Sequence, residues 1–273
     1  MVGDPSMARW RTWSRSLAPP FISILAFLFF WEVLIQSLNV PVYLLPAPTN
    51  IIKSLATNAA LIFYNAKPTI YESLMGFLIS ILVGAFLAIL TVWSKSLGKV
   101  VMPLLVFSQS IPKISIAPLL LVWFGFGLTP KVLVVFMMAF FPIFLSMLSG
   151  LKSVERELLD MMTCMRPSKL QVFIKLRLPN SLPFLLNGLK LGITRSVLGA
   201  VAAEWISSDR GLGHLIIYAD ASMNSSLLFA TIAILATIGT GSFMLVNALG
   251  RLIAPWYFAV RRTTTLQKIG GKT

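Results

Sequence analysis

The sequence predicts an all-α integral membrane protein with six transmembrane helices and both termini in the cytoplasm. Three observations carry that reading. Apolar residues make up 57% of the 273 positions and charged residues 12%, with a mean hydropathy of +0.84; soluble domains stand at about 45–50% and about 25%. Six apolar stretches approach the roughly 20 residues that a spanning helix needs. Basic residues outnumber acidic ones 23 to 9, and they sort to one side when the six stretches are threaded alternately.

Each stretch must be helical, because hydrocarbon offers the backbone no hydrogen-bond partner. The first, 20–38, follows Arg9, Arg11 and Arg15 as a signal peptide would. It contains Glu32 and is followed by no small-x-small cleavage site, so it reads as a retained span. The outer segment 39–71 opens with Pro41, Pro46 and Pro48, and Thr49 is placed to cap a short interfacial helix over 50–62. The second span is 72–94. The third, 100–124, is interrupted at Ile111-Pro112-Lys113. The remaining spans are 131–151, 182–205 and 227–253, with 207–226 reading as a polar surface loop. The organisation is a cytoplasmic segment over 1–19, a transmembrane domain over 20–253 and a cytoplasmic tail over 254–273.

With the N-terminus inside, sixteen Lys and Arg fall in cytoplasmic segments and four (Lys53, Lys67, Lys131, Arg210) in outer ones. That asymmetry fixes the orientation and leaves no compact basic surface for nucleic acid. A single Cys164 excludes an intramolecular disulfide. A single His214 leaves no cluster for a metal or for Ser/His chemistry. Gly270-Gly271-Lys272-Thr273 imitates a phosphate-binding loop, but such a loop needs glycine where Leu266 stands. No catalytic constellation is present, so no cofactor is expected on this chain.

Six of the sixteen inside cations crowd the cytoplasmic loop 152–181. Residues 154–165 read as a short amphipathic helix that Arg166-Pro167 breaks. Ser168 with Gln171 then forms a capping box opening a second helix over 169–177, which Pro179 ends. A protruding helix–turn–helix suits docking to a partner, with Met161, Met162 and Met165 as an adaptable contact surface; a solvated connector is the plainer alternative.

These residues resemble the permease subunits of ATP-binding-cassette importers. Those proteins carry Glu-Ala-Ala in a cytoplasmic loop, a glycine four residues later, and Ile-x-Leu-Pro ten residues after the glycine. Here Asp160-Met161-Met162, Arg166 and Leu176-Arg177-Leu178-Pro179 stand at those spacings. Further stretches are similar to the branch that imports nitrate, sulfonates, taurine and bicarbonate. They include Trp31-Glu32, Leu44-Leu45-Pro46-Ala47-Pro48, Trp123-Phe124-Gly125-Phe126-Gly127, and Ala203-Glu204 with Gly211-Leu212-Gly213. The resemblance runs from Trp31 onward and implies the type I importer permease fold in a bacterial inner membrane.

It also implies partners. A second permease, a copy of this chain or a paralogue, would complete the pathway. Two ATPase subunits would bind ATP and Mg and dock on the coupling region Asp160, Met161, Met162, Cys164, Met165, Arg166, Pro167 and Ser168. A periplasmic or lipid-anchored binding protein would deliver the solute, and membrane lipid would surround the spans. Arg166 departs from the family glycine: a residue before proline is held extended, where glycine would permit positive φ.

Ionisable groups within spans cost about 2.5–3.5 kcal/mol on insertion scales and are candidates for function. Arg195 lies mid-span; it either attracts an anionic solute by charge-assisted hydrogen bonds or pairs with Glu32 or Glu72. Lys190 is five residues earlier, roughly 140° around the helix. Lys113 follows the Pro112 break with Ser108 and Gln109 just before it, so it either faces a cavity or snorkels from a kink. Glu204 closes the fifth span as an outer-gate or helix-end carboxylate. The seven tryptophans lie near span ends, where indoles favour the interface.

Overall fold

A chain this apolar must satisfy its backbone within helices, and the computed structural model is helical throughout, with no strand among the described residues. It describes residues 5–155, 157–159, 161 and 167–255. In order the helices are α1 (Pro5–Ser37), α2 (Pro48–Thr57), α3 (Ala59–Trp93), α4 (Lys95–Ser110), α5 (Lys113–Phe124) and α6 (Leu128–Lys152). Then come α7 (Lys169–Val172), a π-helical turn (Phe173–Arg177), α8 (Leu178–Ser207), α9 (Leu212–Ala221) and α10 (Ser225–Ile253). The tail 256–273 lies outside the described residues.

Four helical stretches are long and apolar enough to cross a bilayer: Ala59–Trp93, Leu128–Lys152, Lys169–Ile206 and Ser225–Ile253. The pair α4 and α5, bent by 97°, makes a fifth if counted as one span. The expected first span lies inside α1, where the stretch Ile22–Ser37 is apolar.

The third span breaks where expected. Ile111 precedes a proline and is extended (φ −87°, ψ 123°), which ends α4. Other prolines (Pro68, Pro103, Pro118, Pro142, Pro183) sit inside helices, as membrane helices tolerate.

Three local expectations are corrected. Thr49 does not cap α2: Ala47 holds that position without a side-chain bond, and Thr49 lies in the first turn. Its backbone N–H (3.0 Å) and hydroxyl (2.8 Å) instead donate to Glu32, which also accepts from Gln36. Pro179 does not end the second loop helix. The capping box forms as expected, Gln171 N donating to Ser168 Oγ at 3.2 Å and Ser168 N to Gln171 Oε1 at 2.8 Å. The chain then widens into the π turn and continues as α8 with Pro179 in its first turn, where the missing N–H costs least. Finally, the 207–226 loop contains α9. Its buried Leu212, Leu215 and Ala219 keep a helical spacing that the surrounding polar residues conceal.

The structure divides into two units. One comprises α1, α2 and the segment Ile216–Ala233. In it Trp31 lies between Phe27 and Phe229, centroids 6.1 and 6.0 Å away, and the Ser225 hydroxyl donates to the Tyr43 carbonyl.

The larger unit, Phe63–Leu215 with residues from Ile234 onward, is built around α6. Val135, Ala139, Ile143, Met147 and Leu151 recur every four residues and are buried. Small-residue stripes meet α6 from two sides: Gly76, Ser80, Gly84 and Ala88 on α3, and Gly188, Gly192, Ser196 and Ala200 on α8. A Cβ on Gly188 would lie 2.7 Å from Ser146 Cβ, and one on Gly192 2.8 Å from Ile143 Cδ1. Ser80 Oγ donates across the seam to the Phe136 carbonyl at 3.1 Å. In lipid, where apolar surface alone drives no association, such close approach supplies the attraction.

Candidate functional site

The break between α4 and α5 gathers three of the candidate residues. Lys113, first residue of α5, turns back so that Nζ donates to the Ser108 carbonyl at 2.9 Å and to Gln109 Oε1 at 3.1 Å. A cation there satisfies carbonyls that the helix end leaves unpaired. The Ser108 hydroxyl is used locally, donating to the Leu105 carbonyl at 2.7 Å.

Arg195 of α8 is exposed on the surface of this chain, and its positive field reaches Lys113. Ion pairs among the described residues join Lys131 to Glu72 and Arg210 to Asp209; Arg195 forms none there. Of the carboxylates considered for it, Glu72 is engaged by Lys131, and Glu32 by Thr49 and Gln36. Lys190 sits elsewhere, its ammonium 6.0 Å from the centre of the Phe243 ring.

Glu204 stands apart, nine residues or roughly 13 Å along α8 from Arg195. It is 1% exposed. Oε1 accepts from the Thr69 hydroxyl at 2.6 Å and Oε2 from Gly213 N at 2.6 Å. Thr69 Oγ1 in turn accepts from Leu212 N at 2.9 Å, and Asn65 Oδ1 from Gly211 N at 2.9 Å. The pairing of Ala203-Glu204 with Gly211-Leu212-Gly213 thereby has a physical reason. Gly211 adopts φ +119°, and a side chain there would run into the Glu204 carboxyl.

Beside this cluster, buried Lys131 donates to Glu72 Oε1 at 3.0 Å and to Ser208 Oγ at 2.7 Å. Glu72 also lies within electrostatic reach of Glu204. Sequence reasoning left Lys131 among outer-segment cations and gave Thr69 and Asn65 no role. A signal existed: Asn65, Thr69 and Glu72/Ser73 form a polar stripe at i, i+4 spacing along an otherwise apolar α3.

Of the coupling-region candidates, Met161 is 69% exposed, Pro167 is half-buried, and Ser168 is the exposed cap of α7. Asp160, Met162, Cys164, Met165 and Arg166 lie outside the described residues. Among the described residues no group of three His, Cys, Asp or Glu could hold a metal.

Residues 80–258 match the family of binding-protein-dependent transport system inner membrane components, and the chain belongs to that family. It is thus a multi-pass membrane permease of the type I ABC importer class. A probable ABC transporter permease protein of Haemophilus influenzae is 34% identical over 81% of this chain and 91% of its own length. The formylaminopyrimidine transport permease protein of Halalkalibacterium halodurans is 32% identical over 87% and 95%. A putative aliphatic sulfonates transport permease protein of Bacillus subtilis is 29% identical over 89% and 88%. Among solved structures, an inward-facing methionine ABC transporter shares the fold with a TM-score of 0.51, at 20% identity over 68% of this chain and 93% of that one.

Proposed function

We propose that this chain is the membrane-spanning subunit of an ATP-driven importer and that it forms the path for a small anionic solute of the sulfonate, nitrate or carboxylate kind. Separate ATPase subunits bind ATP and Mg, a solute-binding protein delivers the cargo, and a second permease, by preference a copy of this chain, completes a path between six-helix halves. Closure of the ATPases is transmitted through the 155–179 loop and alternates access to the path. Family membership supports the energy source, since family members are transport components that work with a binding protein.

One observation carries the anionic solute: Arg195, a cation of the membrane-embedded α8, is exposed and has no carboxylate partner among the described residues, and its positive charge acts on Lys113. Like charges brought together in a medium of low dielectric are costly. A passing anion that accepts hydrogen bonds from both relieves that cost. The sulfonate relative supports this class of cargo; the formylaminopyrimidine relative favours a second reading, an uncharged heterocycle.

The substitution Arg195→Gln separates them. For an anion, removing one charge-assisted contact worth about 1.5–3 kcal/mol lowers uptake at sub-saturating solute by at least about tenfold, while the ATPase-bound complex still assembles. Unchanged uptake contradicts the anion pathway, and a complex that fails to assemble assigns Arg195 a structural role.

A further inference from the structure

Away from the solute path, the end of α3, the opening of α4, the end of α6 and the π turn border an open pocket of about 480 Å³ lined by Thr91, Val92, Gly98, Lys99, Lys152 and Arg177. Three of these six are cations and none is acidic. Their convergence follows from the fold. Ser94 caps α4 by accepting from Leu97 N at 3.2 Å, which puts Lys99 at the opening of the helix. Lys152 is the last residue of α6 and Arg177 the last of the π turn. Arg177 Nη1 reaches the Leu151 carbonyl at 3.5 Å. Lys99 and Lys152 are exposed, so their ammonium groups are open to a ligand.

Three positive charges around a pocket select an anion with several oxygens, such as a phosphate. The apolar surroundings select its source. Val92 lines the wall, and exposed Trp93 and Val100 stand beside it. The Trp93 indole is held edge-on against Phe173 with centroids 5.8 Å apart. A ring so placed belongs at headgroup level. A free anion gains nothing from that approach, whereas acyl chains do. Basic pockets between membrane helices are suited to anionic headgroups.

We propose that this cavity binds the phosphate headgroup of an anionic phospholipid, drawn from the leaflet on the side where the basic loops gather. The site lies beside the loop proposed to meet the ATPase, so the lipid would brace the helix ends that receive its motion.

The test uses the permease–ATPase complex in nanodiscs of phosphatidylcholine with phosphatidylglycerol, re-extracted into detergent, with the retained lipid quantified by mass spectrometry. Lys99→Gln/Lys152→Gln is expected to retain about tenfold less phosphatidylglycerol than wild type. Lys99→Arg/Lys152→Arg, which keeps the charge, should retain it. Lys169→Gln/Lys175→Gln, which removes equal charge nearby, should also retain it. Millimolar inorganic phosphate should leave the lipid in place. Equal retention in all variants, or equal loss from both Gln pairs, overturns the site. Displacement by inorganic phosphate would assign it to a free anion instead. Loss of the ATPase from Lys99→Gln/Lys152→Gln with lipid retention intact would make it a protein socket.

Discussion

Glu72, Lys131 and Glu204 are the residues on which the larger unit's polar interior turns. Lys131 donates to Glu72 and to the Ser208 hydroxyl, while Glu204 accepts from the Thr69 hydroxyl of α3 and the Gly213 backbone N–H of α9. A buried ion pair adds little net stability, but removing one partner strands the other at about 3–5 kcal/mol. Lys131→Met should therefore lower the melting temperature of the detergent-solubilised protein sharply. Lys131→Met/Glu72→Leu should recover much of the loss, because the stranded charge is gone; a double variant no better than the single would deny the pairing. Arg195 and Lys113 are the opposite case. Lys113 is held by the Ser108 carbonyl and Gln109, and Arg195 has no carboxylate partner among the described residues.

Helix pairing is governed by size rather than hydropathy. Gly188, Gly192, Ser196 and Ala200 let α8 lie against α6, and Gly76, Ser80, Gly84 and Ala88 do the same for α3. Gly192→Val should reduce the yield of folded protein, since its Cβ alone would meet Ile143 at 2.8 Å. Gly239→Val, on α10 with nothing within 4 Å in this chain, should be better tolerated; equal yields for the two variants would refute the seam. The small-residue stripes were present in the sequence, yet hydropathy alone does not distinguish a stripe from scattered glycines. The Pro112 break and the Ser168–Gln171 box were legible because each is enforced by neighbouring backbone. Pro179 misled, because it falls in the first turn of α8, where a proline's missing N–H costs least. α9 was hidden because its apolar run, Leu215-Ile216-Ile217-Tyr218-Ala219, is short and flanked by polar stretches at 207–210 and 222–226. The Glu204 cluster was only half legible: its carboxylate was conspicuous in an apolar span, whereas Asn65 and Thr69, about 135 residues away in sequence, join it only through the packing of α3 on α8.

For the molecule as a whole, composition and charge asymmetry were sufficient to identify a multi-pass membrane protein, and ordered fragments pointed to a permease lacking its own engine. The anion path, the ATPase dependence and the lipid site remain proposals of different reach. The ATPase dependence has one direct consequence, namely that movement of solute must be driven by ATP through the chain's partners. A secondary transporter or channel needs no such partner and is expected to show paired broken helices; the bent pair α4 and α5 is the break found here. The most direct measurement is solute uptake into proteoliposomes containing the purified permease–ATPase complex and its binding protein, with and without ATP. Accumulation against a gradient that requires both ATP and the ATPase subunits is the predicted result, and uptake that proceeds equally without ATP would contradict it.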